Sequence, residues 1–146
     1  MAELADALDF GHATLMEEFK IQNAECRIIM NNNIIYDKSF DFAVRIVNLY
    51  KYLTEQFKEY VLSKQLLRCG TSIGANVSEA QRAQSKPDFI SKMSIALKEA
   101  NESYYWIKLL YKTNYIDKLQ FESLQLDINE IISILIKICK TSNSNK

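Results

Sequence analysis

QLLRCGTSIGANVSEA, Gln65 to Ala80, holds two of the chain's three glycines, Gly70 and Gly74, inside a helical pattern that offers no turn signal of its own. A glycine in a helix interior costs about 1 kcal/mol relative to alanine, so two of them four residues apart need a packing reason. Positions 70, 74 and 78 share one helical face, and Gly70, Gly74 and Ser78 make it a smooth strip that another backbone or a bulky side chain can approach closely. Leu62, Leu66, Cys69, Ile73, Val77 and Ala80 form an apolar stripe beside it, and Arg68, Ser72, Asn76 and Glu79 a polar one. Three faces imply two contacts plus solvent, where a simple surface helix has one contact.

Working outward, the pattern predicts three more helices. From Phe40 to about Phe57, Ala43, Ile46, Val47, Tyr50, Leu53 and Phe57 follow helical spacing, with Ser39 placed to cap the start and Phe42 and Leu49 on a second, narrower apolar line. A third helix begins near Pro87, a residue suited to a first turn, and carries Phe89, Met93, Ala96, Ala100, Ile107 and Leu110 on one face to about Lys112. Its central alanines would suit close packing against the glycine strip. After a break at Thr113 to Tyr115, Phe121, Leu124, Ile128, Ile131, Leu135 and Ile138 alternate by threes and fours, a bundle heptad. Four helices with short connections and no alternating strand pattern give an all-α, antiparallel up-down-up-down four-helix bundle. The expected division is an N-terminal arm over residues 1–38, interrupted at Gly11, a bundle over 39–140, and a polar tail over 141–146.

Composition narrows the function. The chain of 146 residues is long enough for a single core without metal or disulfides, and 18 Lys+Arg balance 18 Asp+Glu, so no overall basic field draws it to nucleic acid. Cys26, Cys69 and Cys139 are odd in number and far apart, which suits reduced thiols in a cytoplasm. No apolar run approaches the ~20 residues that span a bilayer, so no membrane partner is expected.

Catalytic and metal chemistry find little footing. Glu79, Glu99 and Glu102 raise the question of a di-iron site, but such sites need a Glu-x-x-His motif on each of two helices and the one histidine is His12. The expectation is instead a structural polar network of Arg68, Asn76, Glu79, Glu99 and Glu102. No nucleophile has a base at fixed local spacing, Gly70 to Gly74 lacks phosphate-loop spacing, and no small-molecule substrate or cofactor is implied. Trp106, Tyr104, Tyr105 and Tyr111 at helical spacing read as core or interface before they read as base-stacking residues.

In the segments SFDFAVRIVNLY, QLLRCGTSIGANVSEA and SKPDFISKMSIALKEANESYYWIKLL, and over about Asp37 to Ile138 as a whole, the chain resembles the bacterial four-helix-bundle proteins first noticed as products of intervening sequences within 23S ribosomal RNA genes. The resemblance implies ring-like pentamers. It also extends to an accessory protein of diversity-generating retroelements, which works with a reverse transcriptase and nucleic acid through a basic surface that the neutral charge here does not match.

Two readings of function follow. One is a non-enzymatic protein that assembles as a homo-oligomer, a pentamer by resemblance, through the surplus apolar positions Phe42, Leu49, Ile132 and Ile136. The other is a nucleic-acid-binding accessory protein whose contacts would include Lys108 and Lys112, one turn apart, and Lys137 and Lys140.

Overall fold

The computed structural model describes the backbone of residues 2–144 and the side chains of residues 15–18, 20 and 22–144. Four helices, α1 (Ala2–Phe57), α2 (Leu62–Ala80), α3 (Lys86–Lys112) and α4 (Lys118–Ser144), account for nearly all of it. Each packs on its two neighbours around a square: α1 on α2 and α4, and α3 on α2 and α4, while across the diagonals no α-carbons of the described residues come within 8 Å. The chain is an all-α four-helix bundle.

Local chemistry explains each helix boundary. At the end of α1, Lys58 turns the chain with a left-handed φ of 53°. The next residue, Glu59, then starts α2: its carboxylate accepts hydrogen bonds from the N–H groups of Val61, Leu62 and Ser63 at 2.7–2.9 Å, and Ser63 Oγ donates back to the Glu59 carbonyl. Three of the donors that a helix start leaves unpaired are thereby satisfied by one side chain. Burial alone would raise the Glu59 pKa, but the hydrogen bonds from Ser63, Leu62 and Val61 outweigh it and hold the carboxyl below its ordinary range. Ser85 caps α3 by accepting from the Asp88 N–H, one residue ahead of the expected start, with Pro87 in the first turn. Asn114, with φ of 67°, closes α3 through bonds from Asn114 N–H to the Tyr111 carbonyl and from Tyr115 N–H to the Leu110 carbonyl. That pairing is the Schellman arrangement, which an asparagine tolerates better than most residues. Asp117 and Gln120 cap α4 reciprocally.

The core is built from one stripe of each helix. Leu66, Cys69, Ile73, Val77 and Ala80 of α2 meet Met93, Ala96, Ala100, Ile107 and Leu110 of α3 and Leu124, Ile128, Ile131, Leu135 and Ile138 of α4. In α1 the buried stripe is Ile35, Ser39, Phe42, Ile46 and Leu53, with Leu49 packed at its edge. This differs from the face expected from Ala43, Val47, Tyr50 and Phe57 by roughly half the 100° step between successive helix residues. Ser39 is the reason. Read as a cap, it hid the register; in the structure it lies fully buried within α1, donating to the Tyr36 carbonyl at 3.1 Å, and the helix runs continuously through it and through Gly11.

At the other end, residues 141–144 continue α4 and Ser142 is buried, so no frayed tail begins at Thr141; residues 145 and 146 lie outside the described residues.

The glycine strip serves the α1–α2 contact. A Cβ built on Gly70 would stand 3.0 Å from both γ-carbons of Ile46, and one on Gly74 would stand 3.4 Å from the Ser39 carbonyl oxygen. Small residues let α1 close onto α2 at two successive levels, Ile46 against Gly70 and Ser39 against Gly74. The strip therefore faces α1, and the α3 alanines line the core on another side. Ser78, expected as its third member, is exposed.

Candidate functional site

Of the five residues expected to form one polar network, three come together. Arg68 on α2 pairs with Glu102 on α3 and lies 3.8 Å from Glu99, and Trp106 Nε1 donates to the same Glu102 carboxylate at 3.2 Å. Two positions fall away from it for geometric reasons. Asn76 turns back to the Ser72 carbonyl on its own helix at 2.8 Å, and Glu79, three turns along α2 from Arg68, pairs with Lys92 at 2.7 Å. The Arg68 side chain is half exposed, so water competes for each of its pairs and the cluster is worth about 0–1 kcal/mol per pair. It ties α2 to α3 and offers no reactive group.

Beneath the cluster lies Cys69. Burial, with Glu102 and Glu99 nearby, pushes its thiol up to about 11 despite the Ser103 hydroxyl 3.3 Å away. A thiol held that far above neutral pH stays protonated and is a poor nucleophile. Cys139 is also raised by burial, next to Ser94. Among the described residues no three His, Cys, Asp or Glu side chains gather as metal ligands, and no helix is long and apolar enough to cross a membrane. The His12 side chain lies outside the described residues.

The four lysines considered for nucleic acid do not form one patch. Lys108 and Lys112 lie near the C-terminal end of α3, folded over the rings of Tyr104 and Tyr111. Lys137 and Lys140 flank Cys139, which sits beside Ser94 near the opposite end of that helix. The eighteen residues from Ser94 to Lys112 correspond to about 27 Å of helix axis, so the antiparallel packing separates the two pairs. The aromatic residues beside them are occupied as well. Tyr104 accepts from Gln125, Tyr111 stacks on Phe121, Trp106 serves Glu102, and of the four only Tyr105 is largely exposed.

The expected assembly residues are also redistributed. Phe42, 1% exposed, is at the centre of the core, and Leu49 and Ile132 pack against that core; Ile136 alone of the four is exposed. An unpartnered apolar row lies elsewhere, on the outward side of α1. Tyr36, Phe40 and Val44, at four-residue spacing, point away from the buried stripe, and Phe40 is 62% exposed. Ala43 and Val47 lie half-buried at their edge. Sequence reasoning missed this face because it placed Ala43 and Val47 in the core. The 35-39-42-46-49-53 heptad, accepted with a serine in it, would have released them.

A family model for the 23S rRNA-intervening sequence protein matches residues 31–137, from just ahead of the buried α1 stripe to the last buried turns of α4. The chain belongs to this family. It is also similar to a crystal structure of a protein of unknown function from the S23 ribosomal protein family of Bacteroides thetaiotaomicron, at 58% identity and a TM-score of 0.74, covering 75% of this chain and 98% of that one. None of the curated proteins matches. The family's shared region therefore contains the bundle and the outward α1 face, while the first 30 residues lie outside the match.

Proposed function

We propose that this protein is a non-enzymatic, self-assembling member of its family, a homo-oligomer whose subunits meet through the outward face of α1, with five subunits as the family resemblance implies. The observation that carries this reading is the exposure of Tyr36, Phe40 and Val44 in a row on a helix whose other side is fully committed to the core. Contiguous exposed apolar rows of this kind mark contact surfaces. The protonated, buried Cys69 thiol and the separation of the lysine pairs support an interaction role over a catalytic or nucleic-acid one. Three free cysteines, one of them exposed, fit a reducing cytoplasm.

Light scattering on the full chain tests the proposal. The expected mass at micromolar concentration is a multiple of 16.9 kDa, falling to that of one chain in Phe40→Asp, a substitution that leaves the core untouched because the side chain is exposed. A single-chain mass for the parent protein overturns the reading.

A further inference from the structure

Ahead of the family match, α1 continues toward its N-terminus beyond the end of α2, where Gln81 donates to the Asn32 carbonyl. The described side chains from Leu15 to Asn23 are all exposed. An isolated helix is marginal in water, and most helical stability comes from covering an apolar face.

This segment has such a face, and it is the same one that the bundle leaves open. Counting back from Val47, positions 43, 40, 36, 33, 29, 26 and 22 alternate by four and three, and position 15 follows one heptad on. This second seam runs along α1 from position 15 to position 47, about 100° around the helix from the stripe that enters the core. Leu15, Ile29, Tyr36 and Phe40 lie on it, and Met16, Met30 and Val44 widen one edge. Among the described residues these are seven of the eight large apolar side chains exposed between Leu15 and Val47, Ile34 being the eighth.

We propose that a second copy of this chain covers the seam, α1 pairing with α1 from Leu15 to the level of Phe40, so that the segment ahead of the family match extends the subunit contact. The proposal rests on the self-assembly reading and adds the upstream segment to it. A self-docking face must not repel itself, and no charged residue occupies any of these seam positions. In a parallel pair, the flanking Glu18 and Glu25 would face the neighbour's Asn23 and Met30, so like charges do not meet.

Register follows from the two polar seam residues, Gln22 and Asn33, which need polar partners once water is excluded. A parallel pair sets each against its own counterpart. Subunits related by rotation in a five-membered ring run their α1 helices in the same sense, so the parallel pair applies, and the exposed Cys26 lies within about one helical turn of the neighbour's Cys26.

The test treats the full chain with a short bis-maleimide, followed by denaturing electrophoresis and by light scattering of the untreated samples. A covalent dimer of about 34 kDa, twice 16.9 kDa, is expected in the parent protein, absent in Cys26→Ser and lost in the double variant Leu15→Asp, Ile29→Asp. Both aspartates enter at exposed positions, and cooperative unfolding confirms that the variant bundle is intact. An oligomeric parent without Cys26-dependent linkage overturns this inference and leaves the self-assembly reading standing. A dimer that persists in the double variant also overturns it, and a single-chain parent mass overturns both.

Discussion

Gly70 and Gly74 occupy equivalent positions on one strip, yet alanine should act in opposite directions at the two. Either substitution improves helix propensity by about 1 kcal/mol. At Gly70 the new methyl would stand 3.0 Å from Cγ1 and Cγ2 of Ile46 together, and Ile46 is fully buried. A β-branched side chain in a helix holds one strongly preferred rotamer, so turning Ile46 does not clear the space and α1 itself must shift. Overpacking of this kind costs about 1–3 kcal/mol, which leaves Gly70→Ala less stable than the parent by roughly 1 kcal/mol. At Gly74 the closest atom is the Ser39 carbonyl oxygen at 3.4 Å, ordinary van der Waals contact, so the propensity gain survives and the variant is more stable by up to about 1 kcal/mol. Urea unfolding followed by circular dichroism, at one protein concentration for all variants, measures both. A double-mutant cycle isolates the contact: adding Ile46→Ala removes both γ-carbons, so the combined loss should be smaller than the sum of the single losses. Gly70→Ala equal to or more stable than Gly74→Ala, or an additive cycle, would show that the α1–α2 approach does not set the cost.

Two further outcomes concern the caps. Glu59→Ala should destabilise the bundle by about 1–2 kcal/mol near neutral pH, since three N–H groups lose their acceptor. Because the folded-state pKa of Glu59 is depressed, its contribution is present above the ordinary glutamate range and is lost as pH falls through the folded value, so the parent and Glu59→Ala should converge in acid unfolding curves. Lys58→Gly should raise stability by roughly 0.5–1 kcal/mol by relieving a left-handed lysine, whereas Asn114→Gly should change little; thermal unfolding that ranks the two the other way contradicts this account.

Three of the four helices were legible in the sequence because enough of their apolar residues repeat by threes and fours to fix the buried face, even with Ser103 inside the α3 stripe, and local signals accompany them: Pro87 after Ser85, Asn114, and the uninterrupted heptad from Phe121 to Ile138. Helical periodicity and capping depend on residues within a turn or two, so one strand of text contains them. The family resemblance was legible in the same segments, which fall within residues 31–137. What the tertiary structure decided was which of two apolar faces of α1 goes inward. Both the 35-39-42-46-49-53 stripe and the 36-40-43-47 stripe repeat by threes and fours, and the choice turns on Ser39 fitting against Gly74 and Ile46 against Gly70, contacts between residues 35 and 24 positions apart. A buried serine looks like a cap until the glycine opposite it is known. That one choice moved Phe42 into the core and Phe40 to the surface, and with Phe40 the apolar row that we propose as the subunit contact. The polar network divided for a similar reason. Arg68, Asn76 and Glu79 share a stripe of α2, but α3 presents Glu99 and Glu102 only at the level of Arg68, and a side chain reaches a partner on another helix only at its own level along the axis.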